Sequence, residues 1–531
     1  MQILWYDSVM KNDIETVTIP KTEYDNFRTH IAALNAKVEW LMEQFRLSQH
    51  RRFGTSSEKS TQNEFEQLNL FNEAEIASDI LVPESELVEI EQHFRKRKNM
   101  VNQSKLPNNL PIEVIEHDLP EEEQICPECG GDLHVIGKET LRRELKLIPA
   151  KAVIIEHVRN VYGCRDCEKD ECGVPIRKAA VSNSVVKGGF ASAEAIAHIA
   201  TQKFVMAVPL YRQEQDWNRQ GINLSRQTMS NWLIKATFDW LEPVYDVLKE
   251  MLCSCKVLHA DETTLQVLHE SNKSAESKSY MWLYRTSGDT GNSIVLYEYQ
   301  PDRKAEHPKA FLKSFSGYLH VDGYEGYHDL SDNIKIVGCF AHARRKFDEA
   351  LKGLSKKDQA DSVAMVGKKF CDKLFALERN FAELTANERC EKRRELSKPV
   401  LDEFYKWVGT INPPPKTGLH AALVYVRNQR KYLERYLKDG RLEISNNRAE
   451  RSIKPFVIGR KNWLFANTPR GAKASAILFS MIETAKENGL NPYEYLTYVF
   501  KNAPNWDISG NFEKLDRLMP WNVPNDCKAK K

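Results

Sequence analysis

The sequence predicts a multidomain α/β protein, and three observations carry the prediction. At 531 residues the chain exceeds the size at which a single hydrophobic core keeps growing, so several modules are expected. Between residues 253 and 342, strand-like and helix-like stretches follow one another in the order of a mixed sheet. Two Cys-x-x-Cys pairs upstream mark a small module of another kind.

Composition sets the broad class. Hydrophobic residues at 41% and charged residues at 28% are the proportions of a soluble protein. No apolar run reaches the roughly 18 residues of a membrane span, and the start, MQILWYDSVMKND, lacks a basic stretch followed by a long apolar one. A cytoplasmic protein without membrane association is the expectation. The formal charge of +2 speaks neither for nor against a nucleic-acid partner. The basic clusters at Arg51-Arg52, Arg95-Lys96-Arg97-Lys98, Arg344-Arg345-Lys346 and Arg451, Lys454, Arg460 and Lys461 are candidate phosphate contacts or simply solvated faces.

In residues 1–50, Phe27, Ile31, Leu34, Val38, Leu41 and Phe45 recur at spacings of four and three. This heptad seam predicts an N-terminal coiled coil and a homo-oligomer, with an amphipathic helix packed on its own protein as the alternative. Residues 51–110 are rich in Ser, Asn, Gln and Glu and read as a polar linker. Residues 111–180 carry short β-like runs, such as KAVIIEHVRNVYGC, around Cys126-Pro-Glu-Cys129 and Cys164-Arg-Asp-Cys167. Four thiolates in two such pairs make a closed tetrahedral site, so a zinc ribbon with structural Zn2+ is expected, with His134, His157 and Cys172 as substitute ligands.

Residues 181–252 read as helical. A helix ending at Gly221, a short turn and a second helix opening at Ser225 as N-cap are compatible with a helix-turn-helix DNA-binding region, in which Arg226, Gln227 and Ser230 would face DNA. Helix pairs with such turns also occur in any α-rich protein. From 253 onward KVLHADETTLQVL, SYMWLYRT and SIVLYEYQ read as strands, KAEHPKAFLKSF as a helix and GYLHVDGY as a strand. A short helix and the strand IKIVGCFAH follow. That order is the order of the ribonuclease H-like fold. Residues 343–440 are nearly all helical and highly charged, as an insertion splitting the core would be. The core resumes at 441–490, and 491–531 form a C-terminal tail.

In this arrangement Asp261 lies in the first strand and Asp322 ends the fourth. Parallel neighbouring strands would bring both carboxylates to one edge of the sheet, and hard oxygens converging there suit Mg2+ or Mn2+. Phosphoryl transfer from DNA uses two such ions, so a third carboxylate is needed. Glu450, in EISNNRAERSIKP, is the best candidate. It has a rival explanation, because Asn447 as N-cap with Glu450 three positions later is capping-box spacing. Glu443 is close enough to substitute, and an Asp at a strand end can be a turn former. His342, read at the end of the last strand beside Arg344 and Arg345, is a candidate for touching a scissile phosphate or orienting a carboxylate. Arg451 and Lys454 are further phosphate candidates. Trp463, in GRKNWLF, would stack on an unpaired base or pack in the core.

The segments RRFGTSSEKS, CPECGGDL, PLYRQEQDWNRQGINLSRQTMSNW, HADETTLQV, VDGYEGY, CFAHARRKF, NNRAERSIKPFVIGRKNWLF and GAKASAILFSMIETAKENGLNPYEYL, in this order, resemble the large TnpC-type transposases of the insertion sequence 66 family. The resemblance implies a DDE transposase that cleaves transposon ends and joins the freed 3′-hydroxyl to target DNA. Asp261, Asp322 and Glu450 would be its three acids, with a helical insertion between the second and third. It also implies small accessory proteins as partners. Ser445 stands where the family commonly has an acid, and Phe340 where Trp is usual; neither change removes a ligand. A non-catalytic zinc-containing DNA-binding derivative and a nuclease that cuts without joining are the competing readings.

Overall fold

In a computed structural model, the described residues are parts of 20–42, 152–162 and 177–530. The chain divides into two compact units, Thr55–Ala180 and Met1–Gly54 with Val181–Lys531, each described by itself. In the smaller unit Val161–Tyr162 and Arg177–Lys178 pair as short antiparallel strands. The β-like run before them is narrower than expected. Residues 152–160 have no regular structure, and Val153, Ile154 and Val158 are exposed; β-branched side chains favour a strand only where a pleated neighbour packs against them. His157 is exposed, and Cys126, Cys129, His134, Cys164, Cys167 and Cys172 lie outside the described residues.

In the larger unit the described residues of 21–42 are helical, and Ile31, Leu34, Val38 and Leu41 of the expected seam are each at least 50% exposed. Phe27 and Phe45 lie outside the described residues. Four helices follow: α1 (Ala193–Phe204), α2 (Leu210–Arg219), α3 (Arg226–Ala236) and α4 (Glu242–Ser254). The expected turn between α2 and α3 is present. Gly221 takes φ +78°, a left-handed conformation that glycine adopts without a Cβ penalty, and the Ser225 hydroxyl accepts from Thr228 N at 3.1 Å as the α3 cap. Ile196, Ala197, Ile199 and Ala200 of α1 and Met229, Trp232 and Leu233 of α3 bury into the core that also contains the sheet.

That sheet has five strands, β1 (Val257–Gln266), β2 (Lys278–Thr286), β3 (Val295–Gln300), β4 (Gly317–His320) and β5 (Ile334–Val337), in the spatial order β3-β2-β1-β4-β5. The first three form an antiparallel meander. After helix α5 (Glu306–Phe311), β4 pairs parallel with β1 and β5 parallel with β4, the adjacency the two aspartates require. Gly317 permits the close β1–β4 approach, because a Cβ there would lie 2.2 Å from the Lys256 carbonyl oxygen.

Chain leaves the sheet through α6 (Phe340–Lys352) into the helical insertion, whose longer helices are α7 (Val363–Asn380), α8 (Lys398–Thr410) and α9 (Gly418–Asn428). Phe347, Leu374, Phe404, Val408 and Leu423 give it a second core. It returns through α10 (Asn447–Trp463) to α11 (Pro469–Glu487) and α12 (Pro492–Asn502). α11 covers the sheet edge: Val295 N donates to Thr484 Oγ1 at 3.0 Å and Tyr297 N to Ser480 Oγ at 2.7 Å, so outward amides of β3 are paired within the fold. Residues 491–531 are not a loose tail, since Tyr495, Leu496, Val499 and Phe500 of α12 join the main core. Their spacing of one, three and one is a helix stripe that composition alone does not separate from a tail.

Candidate active site

Asp261 is carried by the middle of β1, Asp322 by the turn two residues after β4, and Glu450 by the first turns of α10. Local bonds fix the two aspartates: Glu262 N donates to Asp261 Oδ1 at 2.9 Å, and Tyr324 N donates to Asp322 Oδ1 at 2.8 Å. Burial, then the charges of Glu262, Glu450 and Asp322, push the Asp261 carboxyl well above the usual carboxylate range. The charges of acids from separated parts of the chain therefore reach Asp261. An acid whose charged form is disfavoured by burial and by like charges is a functional candidate, and a bound cation would reverse the effect.

Glu450 is 8% exposed. Its Oε2 accepts from Arg345 Nη2 at 3.0 Å, and its Oε1 lies 3.6 Å from His342 Nδ1. Neither Oε1 nor Nδ1 has a hydrogen-bond partner. The capping-box explanation fails. Asn446, not Asn447, is the N-cap, no side-chain cap bond forms, and the Glu450 side chain turns to Arg345 and His342. His342 is not at a strand end either: β5 stops at Val337 and His342 lies in the first turn of α6, because Phe340 and Ala343 bury on a helical i, i+3 stripe. Burial holds its pKa below the ordinary histidine range, against the pull of Glu450.

Among the described residues, ligand atoms lying within 4.8 Å of one another occur in Cys339–His342–Glu450 and in Asp302–Glu306–His307. Asp261, Asp322 and Glu450 are not drawn together that tightly. Ligands of two ions about 4 Å apart need not converge on one point. The unpartnered Glu450 Oε1 and the depressed ionisation of Asp261 fit hard divalent ions.

Other sequence candidates fall in different places. Arg344 Nε pairs with Asp372 of the insertion, so it braces α6 against α7. Arg451 is exposed and Lys454 half-buried on α10. Arg226 and Gln227 are exposed in the first turn of α3, where the Arg226 guanidinium lies over the Tyr211 ring and Gln227 bonds Asn231. Glu443 is held by Arg448 Nε at 2.7 Å. Trp463 packs edge-on against Phe456, with centroids 5.4 Å apart, which favours the core reading. Sequence reasoning missed Glu262, whose carboxylate takes Arg303 Nε at 2.8 Å and Tyr327 OH at 2.6 Å; the Asp-Glu doublet was its only signal. It also missed Asn446, whose Nδ2 donates to the Ala260 carbonyl at 2.8 Å and so ties the start of α10 to β1.

Residues 188–474 match the model described as Transposase IS66 family. The chain belongs to the IS66 transposase family. Residues 123–168 match the zinc-finger binding domain of transposase IS66, 480–521 the IS66 C-terminal element, and 40–115 a model described as Transposase C of IS166 homeodomain. Among similar proteins of Sinorhizobium fredii (strain NBRC 101917 / NGR234), uncharacterized protein y4qI is 31% identical over 78% of this chain and 76% of its own length. Uncharacterized protein y4jD is 31% identical over 79% and 82%. The zinc-finger match spans both Cys-x-x-Cys pairs, and the IS66 model spans all three acids. No helix among the described residues is long and apolar enough to cross a membrane.

Proposed function

We propose that this IS66 family member is a DDE transposase that cleaves at transposon ends and transfers the freed 3′-hydroxyl into target DNA. The observation that carries the reading is the parallel pairing of β1 with β4 and the bond from Asn446 to the Ala260 carbonyl, which join the segments bearing Asp261, Asp322 and Glu450 in one mixed sheet and the helix beside it. The strand order β3-β2-β1-β4-β5 supports a ribonuclease H-like core interrupted by the α7–α9 insertion. Asp261, Asp322 and Glu450 would hold two Mg2+ or Mn2+ ions, which supply charge neutralisation at the attacking and leaving oxygens and an activated water or 3′-hydroxyl. The chain's own residues do the rest. Arg345 holds Glu450 by Oε2, His342 lies beside its unpartnered Oε1, and backbone amides fix both aspartates. Arg451 and Lys454, on the helix that carries Glu450, are the phosphate contacts.

Cys126, Cys129, Cys164 and Cys167 hold structural Zn2+ in this reading, in a ribbon that recognises DNA together with the exposed Arg226 and Gln227 of α3. The half-exposed seam Ile31, Leu34, Val38 and Leu41 pairs protomers as a coiled coil, so that two ends are joined together. Small accessory proteins complete the partner set, and the protein works in the cytoplasm. The test is incubation with a labelled element-end fragment, a plasmid target and Mg2+, comparing wild type with Asp261→Asn. Joined product that disappears in the variant is the expected result. Cleavage without joining identifies a nuclease, and DNA binding without metal-dependent chemistry identifies a non-catalytic derivative.

A further inference from the structure

His259 and His320 stand one on each acid-bearing strand, two residues before Asp261 and Asp322, and are partners in the parallel β1–β4 register. Their rings stack with centroids 4.3 Å apart and planes 10° from parallel, and both are fully buried. An apolar pair would pack there at lower cost, because His259 Nε2 and His320 Nδ1 have no hydrogen-bond partner. The bonds they do make explain the choice. Asn446 Nδ2 is spent on the Ala260 carbonyl, so Asn446 Oδ1 accepts, and His259 Nδ1–H donates to it at 2.9 Å. Glu443 N donates to His320 Nε2 at 3.3 Å. Asn446 is the N-cap of α10, and Glu450 follows four residues later. One buried layer thus ties together β1, β4 and the start of α10, the three segments that carry the acids.

We propose that His259 and His320, acting through Asn446 and the Glu443 backbone, are positioning residues that set the relative placement of Asp261, Asp322 and Glu450. The proposal rests on the reading of those acids as a divalent-cation site. Residues two apart on a strand share a face, so His259 and Asp261 lie on one face of β1, and the ring stacked on His259 belongs to the last residue of β4, two before Asp322. The bond to Asn446 holds the N-terminus of α10, and Glu450 with it, at a fixed place over β1. Neither histidine touches an ion or DNA. Supporting groups behind metal ligands typically carry tenfold to hundredfold in metal affinity.

Mn2+ binding to the full-length protein, read from the electron paramagnetic resonance signal of free Mn2+, tests the proposal, with Asp261→Asn as the reference for loss of the site. His259→Phe keeps a stacked ring but removes the donor, and affinity is expected to fall roughly tenfold or more. His259→Asn returns an amide N–H close to the Nδ1 position and is expected to restore most of it. The double variant His259→Phe/Asn446→Leu replaces both partners with apolar groups but also removes the donor to the Ala260 carbonyl, so thermal stability recovers in part while Mn2+ affinity stays low; it also serves if the single variant fails to fold. Wild-type affinity in His259→Phe, or affinity that returns together with stability in the double variant, overturns the positioning role and leaves the carboxylate site standing. Mn2+ binding that ignores Asp261→Asn overturns the carboxylate reading and this proposal with it.

Discussion

Arg393 is 1% exposed and sits where the insertion folds back toward the core. Its guanidinium donates to both Glu378 carboxylate oxygens, to the Tyr436 carbonyl at 2.9 Å, to the Asp439 carbonyl at 3.0 Å and to the Leu442 carbonyl at 2.8 Å. The last two carbonyls lie just before Glu443 and Asn446, so this one side chain fixes the segment that delivers α10 to the sheet. Arg393→Met removes every one of these donors and leaves the 12% exposed Glu378 carboxylate without its cation. Breaking a buried pair from one side costs about 3–5 kcal/mol, which for a unit of this size lowers the melting temperature by roughly 4–7 °C. Arg393→Lys is expected to recover little, because an ammonium cannot reproduce the planar fork. Arg393→Met/Glu378→Leu is expected to recover only part of the loss, since no orphan charge remains but the three carbonyls still lack their donor. Scanning calorimetry with urea titration as a cross-check measures all three. A single variant within about 1 kcal/mol of wild type, or a double variant no better than the single, refutes the argument that Arg393 pins the return segment.

Asp261→Asn is expected to stabilise the metal-free protein near neutral pH while abolishing joining. Because the folded pKa of Asp261 is raised, the folded state binds the extra proton, and stability falls as pH rises from the ordinary carboxylate value, roughly 4, through the raised one. The gain in melting temperature in EDTA should therefore be present at pH 8 and vanish near pH 4 to 5; a gain independent of pH contradicts the sign. Arg345→Met frees Glu450 Oε2 of its cation and is expected to lower strand transfer at least tenfold with the fold intact, read from product yield and circular dichroism. Cys129→Ser is expected to lose about one zinc per chain by elemental analysis, whereas unchanged zinc content rejects the two-knuckle site. Leu34→Lys/Val38→Lys places charges in the seam and is expected to yield monomers in sedimentation; an unchanged oligomer rules out the coiled coil.

Strand order, the turn at Gly221 and Ser225 and the long helical insertion were legible in the sequence, because each depends on periodicity, turn chemistry or residue type over a few neighbouring positions. Local pattern could not separate a helix cap from a ligand at Glu450, nor a strand end from a helix start at His342. Tertiary structure excluded the side-chain cap and put His342 in α6. It brought Arg345 to Glu450 across 105 positions and Asn446 to His259 across 187, and it gave Glu262, the neighbour of Asp261, to Arg303 and Tyr327. The hydroxyls of Ser480 and Thr484 look like ordinary helix positions in sequence, yet they close the sheet edge. Sequence determines which groups can ionise or bond, whereas the distance between them, and so which one neutralises which, exists only once the chain has packed.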